Sequence, residues 1–347
     1  MRLIRYTSEQ FELLQQAASK IEDNVSLRHR PFVDYYYASR DSSRLYLFLD
    51  DSGTVQGSIG IETLPFEYQT RPINLAVASN FHALKPGVGG FLFLQWLRSC
   101  PIALEVGGSE DAHKIIRQQK WIQFPGVRVY SLNEDYRAYR DDNSLGAVAK
   151  WALRKVRHKR ISDYASRFQV QDGLNISVRE EFEYHEDMLT TKSPFTFRLA
   201  PTVDFLSWRY NTRLSFVRYR IFRILAGERS AGYVIINDGR ERVLIAQCDG
   251  DDAITLAQGV LLALSQVGSQ EQHPRMVRLT SSIPEMSEIY RRFGFVARKD
   301  WIVAMGSRKA PVDLLPDTSN WLVNLDWADI GLLGPFLDQS LPAIQRP

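Results

Sequence analysis

Near the start of the chain Phe11, Leu13, Leu14, Ala17, Ala18 and Ile21 recur at helical spacing, with Thr7 or Ser8 placed to cap the first turn. This predicts a surface helix over 8–21. The pattern then changes to short apolar runs rich in β-branched and aromatic residues, which predict strands at 44–49, 55–61 and 73–81. Asp50-Asp51-Ser52-Gly53-Thr54 supplies the Asp and Gly residues of a hairpin turn between the first two. A glycine-rich turn, an apolar helix over 91–97, a strand at 102–106, a helix over 111–119 and a closing strand at 127–132 follow.

The same order returns further on. Strands are predicted at 219–225 and 231–237 about Gly227-Glu228-Arg229-Ser230, then at 242–248. A helix over 253–265, a strand at 276–280, a helix over 285–292 and a strand at 301–305 complete the series. Two short segments repeat as well. Pro31-Phe32-Val33-Asp34-Tyr35 aligns with Pro201-Thr202-Val203-Asp204-Phe205, an offset of 170 residues. Lys114-Ile115-Ile116-Arg117-Gln118-Gln119-Lys120-Trp121 aligns without a gap on Glu288-Ile289-Tyr290-Arg291-Arg292-Phe293-Gly294-Phe295, an offset of 174. Matched order and offsets that agree within four residues suggest two copies of one α/β fold, each a mixed sheet flanked by helices. The expected division is one domain over 1–140, a linker over 141–164, a second domain over 165–310, and an extension over 311–347. Trp321 and Trp327 make that extension too apolar for a free tail, so it is expected to pack back on a domain.

A length of 347 residues, 44% of them hydrophobic and 24% charged, suits two soluble domains with sizeable cores. Lys and Arg number 43 against 40 Asp and Glu, so any surface for nucleic acid or anionic membrane must be a local patch. One candidate exists: Lys150, Arg154, Lys155, Arg157, Lys159 and Arg160 stand in a helix-prone stretch with no acid from Asn143 to Ser162. It reads either as a solvated linker helix or as a patch for a phosphate-rich partner. Cys100 and Cys248 are too far apart in sequence, and too few, for a disulfide scaffold or a zinc site, and no metal-ligand constellation is present. No apolar leader opens the chain and no apolar run nears the ~20 residues that span a bilayer, which makes the cytoplasm the expected location. A monomer or a homodimer would serve, since tandem copies can pair with each other.

Leu84-Lys85-Pro86-Gly87-Val88-Gly89-Gly90 lies between a strand and an apolar helix. Glycines let successive backbone N–H groups face one concavity, and the helix N-terminus adds its dipole, an arrangement suited to phosphate. A plain structural turn would have the same composition.

At this point the chain resembles the GCN5-related N-acetyltransferase family. There an Arg/Gln-x-x-Gly-x-Gly/Ala turn after the fourth strand holds the acyl-CoA pyrophosphate, and Gly87-Val88-Gly89 falls at that place. The resemblance implies a donor site of Lys85, Gly87, Val88, Gly89 and Gly90, with acetyl-CoA or another acyl-CoA as co-substrate. Leu84 stands where the family has Arg or Gln, which removes one phosphate contact. In the second copy Asp249-Gly250-Asp251-Asp252 replaces the turn, and carboxylates at a helix start repel phosphate. The first half is therefore expected to hold acyl-CoA and the second to be degenerate.

The resemblance further implies transfer of an acyl group to the amine of a small molecule. Candidate bases are Glu62 and Glu67 beyond the strand at 55–61, and His82, whose ordinary pKa suits the task. Tyr290, before Phe293-Gly294-Phe295, looks like the family's tyrosine near the CoA sulfur; it would serve as acid only if the second half binds CoA, and otherwise packs beside Phe293. On the acceptor side stand Tyr36, within Tyr35-Tyr36-Tyr37, and Arg209. The latter lies in Phe205-Leu206-Ser207-Trp208-Arg209-Tyr210, similar to stretches in tandem acetyltransferase-like proteins of surface-polysaccharide synthesis, which implies an amino-sugar acceptor. Two other readings stay open: a Fem-like transferase using charged tRNA, and an inactive scaffold.

Overall fold

In the computed structural model the two hydrophobic patterns become two mixed β-sheets. The structure describes residues 2–21, 26–133, 158–171, 173–190, 193–307 and 317–327, with the single residues 146, 149 and 152. The strands are β1 (Arg2–Arg5), β2 (Ser43–Leu49), β3 (Val55–Tyr68), β4 (Arg71–Ala83), β5 (Ile102–Val106), β6 (Ile122–Phe124), β7 (Arg128–Leu132), β8 (Ile176–Glu181), β9 (Phe197–Leu199), β10 (Tyr219–Ala226), β11 (Arg229–Asp238), β12 (Arg242–Gly250), β13 (Met276–Ser281), β14 (Val296–Asp300) and β15 (Val303–Ser307). The helices are α1 (Phe11–Ala18), α2 (Arg30–Val33), α3 (Val88–Ser99), α4 (Glu110–Gln118), α5 (Ile161–Ala165), α6 (Val203–Arg209), α7 (Ala253–Gly268) and α8 (Pro284–Phe293).

The first sheet runs β1-β2-β3-β4-β5-β15-β6, with β9 pairing the far end of β3, and the second runs β14-β7-β13-β12-β11-β10-β8. Each half's last strand has thus crossed into the other's sheet. β15 lies antiparallel between β5 and β6, and β7 lies antiparallel between β13 and β14. The exchange is reciprocal, and the elements around it, α4 with α8 and β6 with β14, carry the 174-residue repeat read in the sequence. The boundaries expected from the sequence need correction here: residues 128–132 belong to the second sheet and residues 303–307 to the first. Periodicity fixes a strand's type, while its pairing partner is set by contacts far along the chain.

Three cores result. Residues alternate along β11, with Tyr233 and Ile235 facing a core shared by both sheets, and Val234 and Ile236 facing α7. A third core packs α3 on the first sheet through Leu92, Phe93 and Trp96 against Ile59 and Ile61. Residues 317–327 of the C-terminal extension pack inward, with Trp321, Leu325 and Trp327 buried in the shared core. Of the basic segment, Lys150, Arg154, Lys155 and Arg157 lie outside the described residues.

In each half a parallel pair of strands starts together and then parts. β4 and β5 pair at Ala76 with Ala103 and Val77 with Leu104. β12 and β13 pair only from Arg242 to Leu244 and from Met276 to Arg278. A bulge drives the first divergence: Asn80 and Phe81 of β4 together face Ile59, and Asn80 takes a left-handed φ of 47°. Its side chain pins that conformation, donating to the Tyr37 hydroxyl at 2.7 Å and accepting from Ser26 at 3.0 Å.

Candidate active-site cleft

The parting of β4 and β5 opens a cavity of about 600 Å³. One wall is the end of β4 with Ala78, Phe81, His82 and Ala83, and the other is Glu105 to Ser109 with Asp111 and Ala112. Gly89 from the first turn of α3 and Asp111 from the first turn of α4 both reach it, so two helix N-termini face one space. Gly87 caps α3 in a left-handed conformation, φ 84° and ψ −25°, which glycine adopts without steric cost. No side chain caps this helix, and its first N–H groups have no partner within the helix itself. Such a turn fits a phosphate.

The sequence-predicted donor residues divide by position. Gly87, Gly89 and Gly90 border the cleft or the groove beside it, whereas the Val88 side chain is buried in the core under α3, leaving only its backbone to contribute. Lys85 is exposed and its ammonium lies 3.6 Å from Asp50. The Ser52 hydroxyl, with the Thr54 amide and the Gln56 side chain, pulls the Asp50 carboxyl down to about 2. A shallower groove of about 530 Å³ continues on the outer side of the turn between α3 and α4, lined by Gly90, Phe91, Leu94, Leu97 and Gln119. Phe91 is 58% exposed there and stacks on Phe48 at 5.3 Å.

Of the four candidate catalytic residues, His82 alone lines the cleft, where burial lowers its pKa. Glu62 instead points to the shared core and meets the Arg209 guanidinium. Arg209 also donates to the Asp326 carboxylate at 3.0 Å and to the Asp326 carbonyl at 2.8 Å, and Tyr36 donates to the Arg209 carbonyl at 2.8 Å. All four side chains are buried. Glu62, Arg209 and Tyr36 therefore form one internal cluster joining the halves, which corrects their expected roles as base and acceptor contacts. Their reason for being together is electrostatic: a buried carboxylate needs a buried cation, and burial raises the Glu62 pKa even so. Glu67 sits apart, 3.4 Å from Arg198. Tyr290 is 1% exposed among Tyr130, Phe293 and Phe295, and its burial pushes the hydroxyl pKa far up. It belongs to the core of the second half and does not line the cleft.

Two cleft residues escape the sequence reading. Glu105 interrupts an otherwise apolar strand and is followed by Gly107-Gly108, a polar position before a double glycine that signals a special loop. Trp301 precedes β15 and enters the wall only because that strand is exchanged.

The second half treats its own divergence differently. Asp252 caps α7 by accepting from the Thr255 amide at 2.8 Å, and Asp249 pairs with Arg198 at 2.5 Å. Residues 321–325 run between the parted strands: Asn324 accepts from the Cys248 amide at 3.1 Å and donates to its carbonyl at 3.2 Å. Opposite, Thr280 donates to the Val323 carbonyl at 2.7 Å, and Ser282 to the Trp321 carbonyl at 2.8 Å. Among the described residues there is no cluster of His, Cys, Asp and Glu fit to hold a metal ion, and no helix is long and apolar enough to cross a membrane.

No family model and no curated protein matches the sequence. Solved structures do match the fold. The tandem GNAT protein of the clavulanic acid biosynthesis pathway is 12% identical, with 90% of this chain and 99% of that one covered at a TM-score of 0.56. A GCN5-related N-acetyltransferase from Anabaena variabilis is 10% identical over 87% and 72% of the two chains, TM-score 0.53. N-myristoyltransferase from Saccharomyces cerevisiae, solved with bound myristoyl-CoA, is 7% identical over 88% and 82%, TM-score 0.54. The chain thus has the tandem GCN5-related N-acetyltransferase fold.

Proposed function

We propose that the protein is an acyl-CoA-dependent N-acyltransferase whose donor site is the cleft of the first half. One observation carries this reading: a cavity between parted parallel strands, with a glycine-capped helix N-terminus at its mouth and His82 in its wall. The pyrophosphate rests on the backbone at Gly87, Gly89 and Gly90, the thioester arm enters between β4 and β5, and the nucleoside lies in the groove at Phe91. Val88 helps only through its backbone. Lys85 adds a cation at the rim.

The acceptor is a small-molecule amine. Both charged residues in the cleft wall, Glu105 and Asp111, are acidic, which favours a cationic amine over an acid. The amino-sugar expectation rested on the segment around Arg209, and the burial of that segment leaves the acceptor at the level of an amine. His82, whose pKa burial lowers, takes the proton as the amine nitrogen bonds to the thioester carbon. The carbon–sulfur bond then breaks and the thiolate leaves with the electron pair.

Thermal unfolding of the purified chain with acetyl-CoA and longer acyl-CoAs tests the donor site. A ligand at a hundredfold excess over its Kd stabilises the native state by about 2.7 kcal/mol. The midpoint should rise in the parent and stay still in Gly89→Asp, which puts a carboxylate where the phosphate belongs. An equal rise in both would move the site elsewhere, and no rise in either would favour the tRNA-dependent or scaffold reading.

A further inference from the structure

Trp301 belongs by sequence to the second half and by position to the cleft of the first. Its backbone amide donates to the Val127 carbonyl at 2.8 Å, and two residues later Val303 pairs with Val106, so the exchanged strand fixes the indole against the β5 end of the wall. The residue is 3% exposed, and its indole nitrogen has no hydrogen-bond partner among the described residues. An indole N–H can only donate. Trp96 by contrast donates to the Ala76 carbonyl at 2.9 Å and Trp208 to the Ser39 hydroxyl at 3.3 Å, while Trp327, whose indole nitrogen also has no partner among the described residues, lies in the shared core and not in the cleft wall.

The loop beside it is a pair of glycines. Gly107 and Gly108 are both left-handed, at φ 82° and 88°, and a Cβ on Gly107 would stand 3.7 Å from the indole nitrogen. At Gly108 the Glu105 carboxylate occupies the space a Cβ would need. The two glycines therefore bring bare backbone up to a buried donor and a carboxylate in the β5 wall of the cleft.

We propose that the Trp301 indole N–H is the hydrogen-bond donor for the carbonyl oxygen of the bound acyl thioester. This rests on the acyl-CoA reading above. As the amine nitrogen bonds to the carbonyl carbon, that oxygen takes on negative charge; when the carbon–sulfur bond breaks, the double bond returns and the thiolate carries off the pair. A donor already fixed at the oxygen stabilises the charged stage. The first half's site is then incomplete without a residue from the second, which gives the second copy a catalytic reason to be kept.

The test uses the full chain with acetyl-CoA carrying carbon-13 in the carbonyl, read by isotope-edited infrared spectroscopy, beside calorimetric affinities for acetyl-CoA and free CoA. Trp301→Phe retains a ring and removes the donor. The bound carbonyl stretch should rise in the variant, and acetyl-CoA should bind about fivefold more weakly, the worth of one ordinary hydrogen bond, while free CoA binds as before. An unchanged stretch, or equal losses for both ligands, overturns the proposal. If Trp301→Phe does not fold, the parent labelled with nitrogen-15 at its 7 tryptophans decides: one indole signal should move with acetyl-CoA and not with free CoA. No such signal refutes the assignment. Failure of the parent to bind either ligand would instead defeat the acyl-CoA reading and the proposal with it.

Discussion

In the first half the strands part after Val77 and Leu104 and leave an open cleft; in the second they part after Leu244 and Arg278 and enclose the chain's own residues 321–325. The phosphate turn differs in the same sense. Gly87 starts α3 with no side chain on its N–H groups, whereas Asp252 starts α7 with a carboxylate that consumes one of them. Asn324 further satisfies both backbone groups of Cys248, so the second cleft is closed with its hydrogen bonds made. One backbone plan thus serves as a binding site where its polar groups are left to a ligand, and as a brace where the chain satisfies them itself.

The largest effect should come from the anchor of that brace. Asp326 follows the residues in the second cleft and is held by Arg209, which also meets Glu62. Arg209→Met would leave two buried carboxylates without their cation, and breaking a buried pair in this way costs about 3–5 kcal/mol. Chemical denaturation should show that loss, with the acyl-CoA affinity of the surviving native fraction unchanged. A loss below about 1 kcal/mol would mean the cluster is hydrated and the brace is held by packing alone.

Next in size is a pH effect confined to the second half. Burial pushes the Asp249 carboxyl up to about 7, against the pull of Arg198. The folded pKa lies above the unfolded value of 3.8, so the native state binds this proton more tightly. The contribution is fully present below about pH 4 and is lost as the pH rises through about 7. Relative to the parent, Asp249→Asn should therefore gain stability between pH 4 and 7, by at most about 4 kcal/mol at 1.36 kcal/mol per unit. Urea unfolding of both at several pH values reads the slope, in which the constant cost of losing the Asp249 charge beside Arg198 cancels. Parallel curves would mean that Arg198 keeps Asp249 ionised throughout.

Much of this contrast was legible in the residues. The repeat of 114–121 at 288–295 announced two copies, and Asp249 to Asp252 against Gly87 to Gly90 announced their difference. His82 stands out in the sequence because it directly follows the strand expected at 73–81, and β4 in fact carries it near its end. Glu62, Arg209 and Tyr36 misled because a charged or aromatic residue near a predicted site looks the same whether it faces solvent or a buried partner; Asp326, the partner that settles the matter, lies 117 residues from Arg209. β3 also runs on to Tyr68, past the expected end at 61, because Leu64 and Phe66 turn to the shared core, which no local pattern reveals. Trp301 was hidden for a similar reason, since strand exchange is a long-range pairing.

The smallest effect separates stability from binding at a single atom. Gly89 lies in the first turn of α3 with no positive φ, and a Cβ there would meet only the Ala83 Cβ, at an ordinary 3.7 Å. Alanine is favoured over glycine in helices by up to about 1 kcal/mol, so Gly89→Ala should raise the melting point slightly. The same methyl would stand on the face of the turn that lines the cleft, where a phosphate must approach the backbone closely. Acyl-CoA binding should weaken as the protein itself grows more stable. At Gly87 the left-handed φ forbids this experiment, because the strain of a side chain would lower both quantities together. Should Gly89→Ala bind acyl-CoA as the parent does, the phosphate does not contact this turn, and the open cleft of the first half would have to take its ligand from the Glu105 side alone.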